Sequence, residues 1–199
     1  TSHYCGDAIN RAKKVAVPTM EKPQNIVIVG MGGSAISGEI LRDWLHDRLP
    51  LSIEVCRDYT LPAYVNSKTL VIVNSYSGNT EETLNAFLFA VHQKCMVLGI
   101  TSGGLLGEFC KKLQIPCVLI PSGLQPRAAL AYMFFPVPVL LQKMGILPYV
   151  EEKLKQTIEI IETVSKENSP EVPMEINKAK TIATQILGTI PVIYGFRQY

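Results

Sequence analysis

The run Val71-Ile72-Val73-Asn74-Ser75-Tyr76-Ser77-Gly78-Asn79-Thr80-Glu81-Glu82-Thr83-Leu84 constrains this chain more than any other. Its continuous β-branched opening reads as a strand buried on both faces, the pattern of a parallel sheet covered by helices on each side. The run then breaks into small and hydroxyl residues and restarts as a helix. Asn79 or Thr80 is placed to cap that helix, and Glu81 and Glu82 occupy its first turn, where acids are favoured. A strand that ends this way gathers free backbone N–H groups, a helix dipole and the hydroxyls of Ser75, Ser77 and Thr80 at one point. That is the chemistry of a phosphate site, and Gly78 allows the tight path and close approach it needs. The plainer reading is a capped loop, but three hydroxyls exceed what capping requires.

Further buried-strand patterns occur at 25–29, 52–56, 95–100 and 116–120, with helical patterns at 5–15, 35–45, 81–92 and 105–110. Strand and helix alternate at crossover intervals, which predicts an α/β fold: a doubly wound parallel sheet in a Rossmann-like α-β-α sandwich. Ligands on such sheets lie beyond the carboxyl ends of the strands. The loops Gly30–Ser34, Ser75–Thr80 and Thr101–Gly104 all fall at that end and are expected to converge. After Ile120, the Pro- and Gly-containing loop 121–127 delivers Arg127 to the start of a helix over 128–135. A cation there opposes the helix dipole, so Arg127 either simply faces solvent or is kept to reach a phosphate or sugar oxygen. Helices are expected over 149–164 and 172–187, and a strand over 190–195.

Composition narrows the function classes. With 199 residues and a formal net charge of +2, the chain has no concentrated basic face for nucleic acid, and Lys13-Lys14 and Lys111-Lys112 are isolated doublets. Cys5, Cys56, Cys95, Cys110 and Cys117 show no C-x-x-C spacing and pair with no nearby His. They read as free thiols of a reducing compartment, with neither disulfides nor a metal site expected. His3, His46 and His92 are scattered. No secretory signal is recognisable, and Pro136 and Pro138 cut the longest apolar run, 128–141. A soluble cytoplasmic protein without membrane contact is expected.

Gly30-x-Gly32-x-x-Ala35 also satisfies the dinucleotide fingerprint, and Asp58 lies where a ribose-binding acid would sit. In that reading, however, Ser75, Ser77 and Thr80 have no task. No Gly-Lys-Ser/Thr follows any glycine, which excludes a Walker loop.

Gly30-Met31-Gly32-Gly33-Ser34-Ala35 together with Ser75-Tyr76-Ser77-Gly78-Asn79-Thr80-Glu81-Glu82-Thr83 resembles the sugar isomerase (SIS) domain. With Pro126-Arg127-Ala128-Ala129-Leu130-Ala131-Tyr132 the resemblance narrows to the bifunctional phosphoglucose/phosphomannose isomerases, over essentially the whole chain. It implies that Gly33, Ser34, Ser75, Ser77 and Thr80 bind the phosphate of a hexose 6-phosphate, and that Arg127 lies near the reacting carbons and is catalytic. The implied reaction is metal-free and cofactor-free aldose–ketose interconversion through a cis-enediol, in a homodimer. The resemblance also divides the chain into a SIS domain over 1–125, a helical connector over 126–188 and the start of a second SIS unit from 189. The family's catalytic Glu, His and Lys belong to that second unit and match no position here, so the chain is expected to be the N-terminal portion of a longer enzyme and inactive alone. The alternatives are a non-catalytic sugar-phosphate-sensing SIS regulator and a dinucleotide-dependent oxidoreductase fragment.

Overall fold

A computed structural model describes residues 2–18 and 21–195. Five strands, β1 (Asn25–Val29), β2 (Ser52–Cys56), β3 (Thr69–Asn74), β4 (Met96–Thr101) and β5 (Cys117–Leu119), pair in parallel in the order β2-β1-β3-β4-β5. Register runs from Asn25 opposite Thr69 to Val29 opposite Val73 across the β1–β3 pair. The strand order reverses between β1 and β3, which opens the crevice where sheets of this kind place a ligand.

The faces are covered by α1 (Ser2–Lys14), α2 (Gly33–Leu45), α3 (Glu81–His92), α4 (Gly104–Lys112), α5 (Leu130–Phe134) and α6 (Pro136–Lys143). Side chains of successive strand residues point to opposite faces, so each central strand feeds two cores. Ile26, Ile28, Leu70 and Ile72 pack with Leu41, Leu45, Met133 and Leu140 on one face. Val27, Val29, Val71 and Val73 pack with Ala86, Phe87 and Leu106 on the other. Every residue of β3 is buried, as its unbroken β-branched run requires.

The prolines of the 128–141 run do not break it into loop. Pro136 stands at the first position of α6, where a missing N–H is not needed, and the run lies buried against α1 and the sheet. A polar latch fixes α1 in place: the Tyr132 hydroxyl and the Arg11 guanidinium both donate to Asp7, at 2.9 Å and 2.7 Å, and Arg11 also reaches the carbonyl of Leu119 at 3.0 Å.

Two expectations change. Within 172–187 only α8 (Lys178–Ile186) is helical, because Pro170 and Pro173 hold the preceding residues in turns and Asn177 starts the helix by accepting the N–H of Lys180 at 3.0 Å. The strand read over 190–195 is not formed. Those residues are exposed and irregular, with no strand beside them among the described residues, and a lone strand leaves its N–H and C=O groups unpaired. Residues 196–199 lie outside the described residues. The helix α7 (Glu151–Glu167) touches the body through its first turns, where Leu154 is buried. Among the described residues no helix is long and apolar enough to cross a membrane, and no group of three or more His, Cys, Asp and Glu could hold a metal ion.

Candidate functional site

The first wall is the turn between β1 and α2. A Cβ on Gly30 would lie 3.0–3.1 Å from backbone atoms of Ser34, Ala35 and Asn74, so only glycine lets this turn sit against the end of β3. Gly32 precedes α2 with a positive φ of 51° and offers no side-chain cap. Ser34, in the first turn, is buried and its Oγ accepts the N–H of Tyr76 at 3.4 Å, which joins this wall to the second. Beneath them the Asn74 carboxamide donates to Ser37 Oγ at 2.8 Å, and Ser37 donates to the carbonyl of Ser34 at 2.7 Å.

The second wall is the loop between β3 and α3. Ser75 Oγ donates to Thr80 Oγ1 at 3.3 Å and accepts the N–H of Gly78 at 3.2 Å, so the loop curls around its own hydroxyls. Ser77 Oγ accepts the N–H of Asn79 at 3.2 Å and is exposed. Thr80 precedes α3 without a capping bond to it, and Asn79 does not cap it either. The first-turn N–H groups of α3 therefore face this loop without a side-chain acceptor. A helix N-terminus in that state attracts an anion through its partial positive charge. The sequence places Glu81 and Glu82 in the same turn, and they share its dipole.

The third loop, Thr101–Gly104, is bonded directly to the second and supports it. Leu106 N–H donates to the Gly78 carbonyl at 2.9 Å, and Ser102 donates to the Tyr76 carbonyl through its N–H at 3.0 Å and its hydroxyl at 2.7 Å. The contact is so close that a Cβ on Gly78 would stand 1.9 Å from the Gly103 carbonyl oxygen, and one on Gly104 2.4 Å from that of Ser77.

Arg127 lies in a 3-10 turn, Pro126–Ala129, that packs beside α2 and α5. It is exposed and forms no ion pair among the described residues. The loop that delivers it is tied to the second wall by Tyr76, whose hydroxyl donates to the Pro121 carbonyl at 3.1 Å and accepts the Leu124 N–H at 2.8 Å. Sequence reading missed Tyr76 because an aromatic flanked by serines carries no periodic signal; its place in the motif was the only available clue. Asp58 accepts the N–H of Tyr59 at 2.6 Å within an exposed turn after β2.

Gly33, Ser34, Ser75, Ser77 and Thr80 are thus brought to the β1–β3 crevice, with Arg127 on an adjoining loop. No family model matches the chain. It is 45% identical over 175 residues to a bifunctional phosphoglucose/phosphomannose isomerase of Caldicellulosiruptor bescii, a match covering 88% of this chain and 52% of that protein. It is 34% identical over 191 residues to a D-glucosamine-6-phosphate 4-epimerase of Sulfolobus acidocaldarius, covering 95% of this chain and 56% of that protein. The chain spans about half the length of the curated relatives it matches. Among solved structures, the fold is similar to that of tagatose-6-phosphate ketose/aldose isomerase from Escherichia coli, with a TM-score of 0.53 at 19% identity over 83% of this chain and 49% of that one.

Proposed function

This chain belongs to the family of the bifunctional phosphoglucose/phosphomannose isomerases, and we propose that it supplies the phosphate-binding half of an aldose–ketose isomerase acting on hexose 6-phosphates. The observation that carries the reading is the bond from the Tyr76 N–H to Ser34 Oγ, which joins two hydroxyl-bearing loops at the reversal point of the sheet. The phosphate sits between them. Ser34, Ser75, Ser77 and Thr80 donate hydroxyls, and Gly33 and the uncapped first turn of α3 donate backbone N–H groups. This holds one end of the sugar and leaves the C1–C2 end to project toward the loop that bears Arg127.

The reaction interconverts glucose 6-phosphate or mannose 6-phosphate with fructose 6-phosphate through a cis-enediol. Removing the C2 proton makes that carbon planar, so both epimers reach the same intermediate and one site serves both aldoses. Negative charge develops on the enediol oxygens, and Arg127, permanently charged and without an ion partner among the described residues, stabilises it. Glu81 and Glu82 are held in the first turn of α3 and are not assigned as the base. No cofactor is invoked. The protein acts in the cytoplasm as a homodimer, with neither nucleic acid nor membrane as partner.

The epimerase relative supports this reading of the site: it is similar over this stretch while its name places its chemistry at C4, which suits a shared part whose task is to hold the phosphate.

The test is calorimetric titration of this chain with fructose 6-phosphate and, separately, with NAD, repeated on a Ser77→Ala, Thr80→Ala double variant. The expected result is sugar-phosphate binding that the double variant loses, with no response to NAD. Binding of NAD, or sugar-phosphate binding indifferent to the two hydroxyls, overturns the assignment.

A further inference from the structure

We propose that Cys110 and Cys117 form a reversible dithiol–disulfide couple at the β5 edge of the sheet. Cys110 lies in the last turn of α4, and Cys117 opens β5, where it pairs in register with Gly99 of β4. Both sulfurs lean over Gly99. A Cβ built on that glycine would stand 2.8 Å from Cys110 Sγ and 3.1 Å from Cys117 Sγ. The absent side chain is therefore what gives the two sulfurs a common site, and any larger residue at 99 would enter it. Two other cysteines are engaged elsewhere: Cys56 donates to the Thr60 carbonyl and Cys95 to the Asn66 carbonyl, each at 3.2 Å.

The two thiols differ in access and in acidity. Cys110 is fully buried, whereas Cys117 is half-buried and borders a groove of about 460 Å³ lined by Lys111, Ile115 and Leu119. The neighbouring sulfur pulls the Cys110 thiol below its ordinary range and, with burial, pushes that of Cys117 above it, so acidity favours Cys110 and access favours Cys117.

This geometry separates an entry thiol from a resolving one. Access, not acidity, sets the order: Cys117 is the thiol that the groove reaches, and once its proton is lost to solvent it attacks a small-molecule disulfide there, a step that its raised pKa slows and higher pH speeds. A Cys117 mixed disulfide forms and one thiolate of the reagent leaves. Cys110, as its thiolate, then attacks Cys117 Sγ, the Cys110–Cys117 bond closes and the second reagent thiolate leaves. The protein loses two electrons and two protons, and the reagent disulfide gains them as two thiols. Added dithiol reverses the step.

The experiment incubates the folded chain with oxidised glutathione, alkylates remaining thiols and digests with trypsin and a glutamate-specific protease. Cleavage after Glu108, Lys111 and Lys112 separates Cys95, Cys110 and Cys117 into different peptides. The expected product is one linked pair, Cys110 with Cys117, lighter than the two reduced peptides by two hydrogens and lost on reduction. Cys5, Cys56 and Cys95 stay alkylated. In Cys110→Ser the reaction stops at one glutathionyl group on Cys117, a product that requires the resolving role. Full alkylation of both thiols after oxidation, linkage spread over other cysteines, or a Cys110→Ser variant that carries no adduct overturns the proposal.

Discussion

Asn79 caps the neighbouring helix. Its Oδ1 accepts the N–H of Leu105 in the first turn of α4 at 3.0 Å, while α3, which begins two residues after it, has no side-chain cap. Gly103, at the position before α4, has no side chain to offer, so the carboxamide from the adjacent loop takes the task. The same bond ties the third loop to the wall it supports. Replacing Asn79 with Ala removes a cap and is expected to lower stability by about 1 kcal/mol, whereas Asn79→Asp keeps the acceptor and retains most of it. Urea unfolding at constant slope checks both. Equal losses in the two variants would show that the acceptor oxygen is not what matters.

Gly78 has a harder constraint. It sits at a φ of 71°, and its missing Cβ would stand 1.9 Å from the Gly103 carbonyl oxygen. Backbone strain alone costs about 1–3 kcal/mol, and the collision with a fixed carbonyl adds to it. Gly78→Ala is therefore expected to lose more stability than Asn79→Ala. Thermal unfolding of the two variants side by side tests the order, and a Gly78→Ala protein as stable as the parent would refute the close packing of these loops.

Ser77 separates binding from folding. Its hydroxyl is exposed and accepts only a local N–H, so Ser77→Ala is expected to leave stability within about 0.5 kcal/mol. A hydroxyl that donates to a phosphate contributes roughly 1.5–3 kcal/mol, so the same change is expected to weaken fructose 6-phosphate binding roughly 10- to 100-fold. Calorimetry and unfolding on one preparation give both numbers. Weakened binding with an equally damaged fold would remove the hydroxyl from the site.

The central architecture was legible because its signals are local and strong. The β-branched run into β3 has one economical reading; the glycines after β1 and the hydroxyls after β3 have two each, but a parallel sheet brings them together without further information. What escaped depends on neighbours distant in sequence. Nothing local says that Asn79 will prefer α4, that Tyr76 will hold both Leu124 and Pro121, or that Thr101–Gly104 will be bonded to the second wall. Pro136 was legible as a boundary, since α5 ends before it and α6 starts on it, but that a second helix would follow at once was not. The strand expected over 190–195 shows the complement: an apolar pattern is insufficient where no strand among the described residues completes its hydrogen bonds.

The latch on α1 yields a pH dependence with a definite sign. Burial, the hydrogen bond to Asp7 and that carboxylate's charge raise the Tyr132 phenol to about 12, above the ordinary tyrosine value of 10.0. The folded state thus favours the neutral phenol. Its contribution is fully present below pH 10 and is lost as pH rises through 12, a window worth on the order of 2–3 kcal/mol for a side chain this enclosed. Asp7 behaves in the opposite direction. Its carboxyl is held below the usual carboxylate range, chiefly by the hydrogen bond from Arg11, so its contribution is present at neutral pH and is lost as pH falls through its lowered value. Unfolding free energies of the parent and Tyr132→Phe should differ by a constant amount from pH 7 to 9. The gap should then narrow as pH rises from 10 to 12, because only the parent has a phenol to ionise at this position. A gap that stays constant to pH 12 would mean that Tyr132 ionises no more readily in the unfolded chain than in the fold, and the latch would then hold α1 by packing without the hydrogen bond to Asp7.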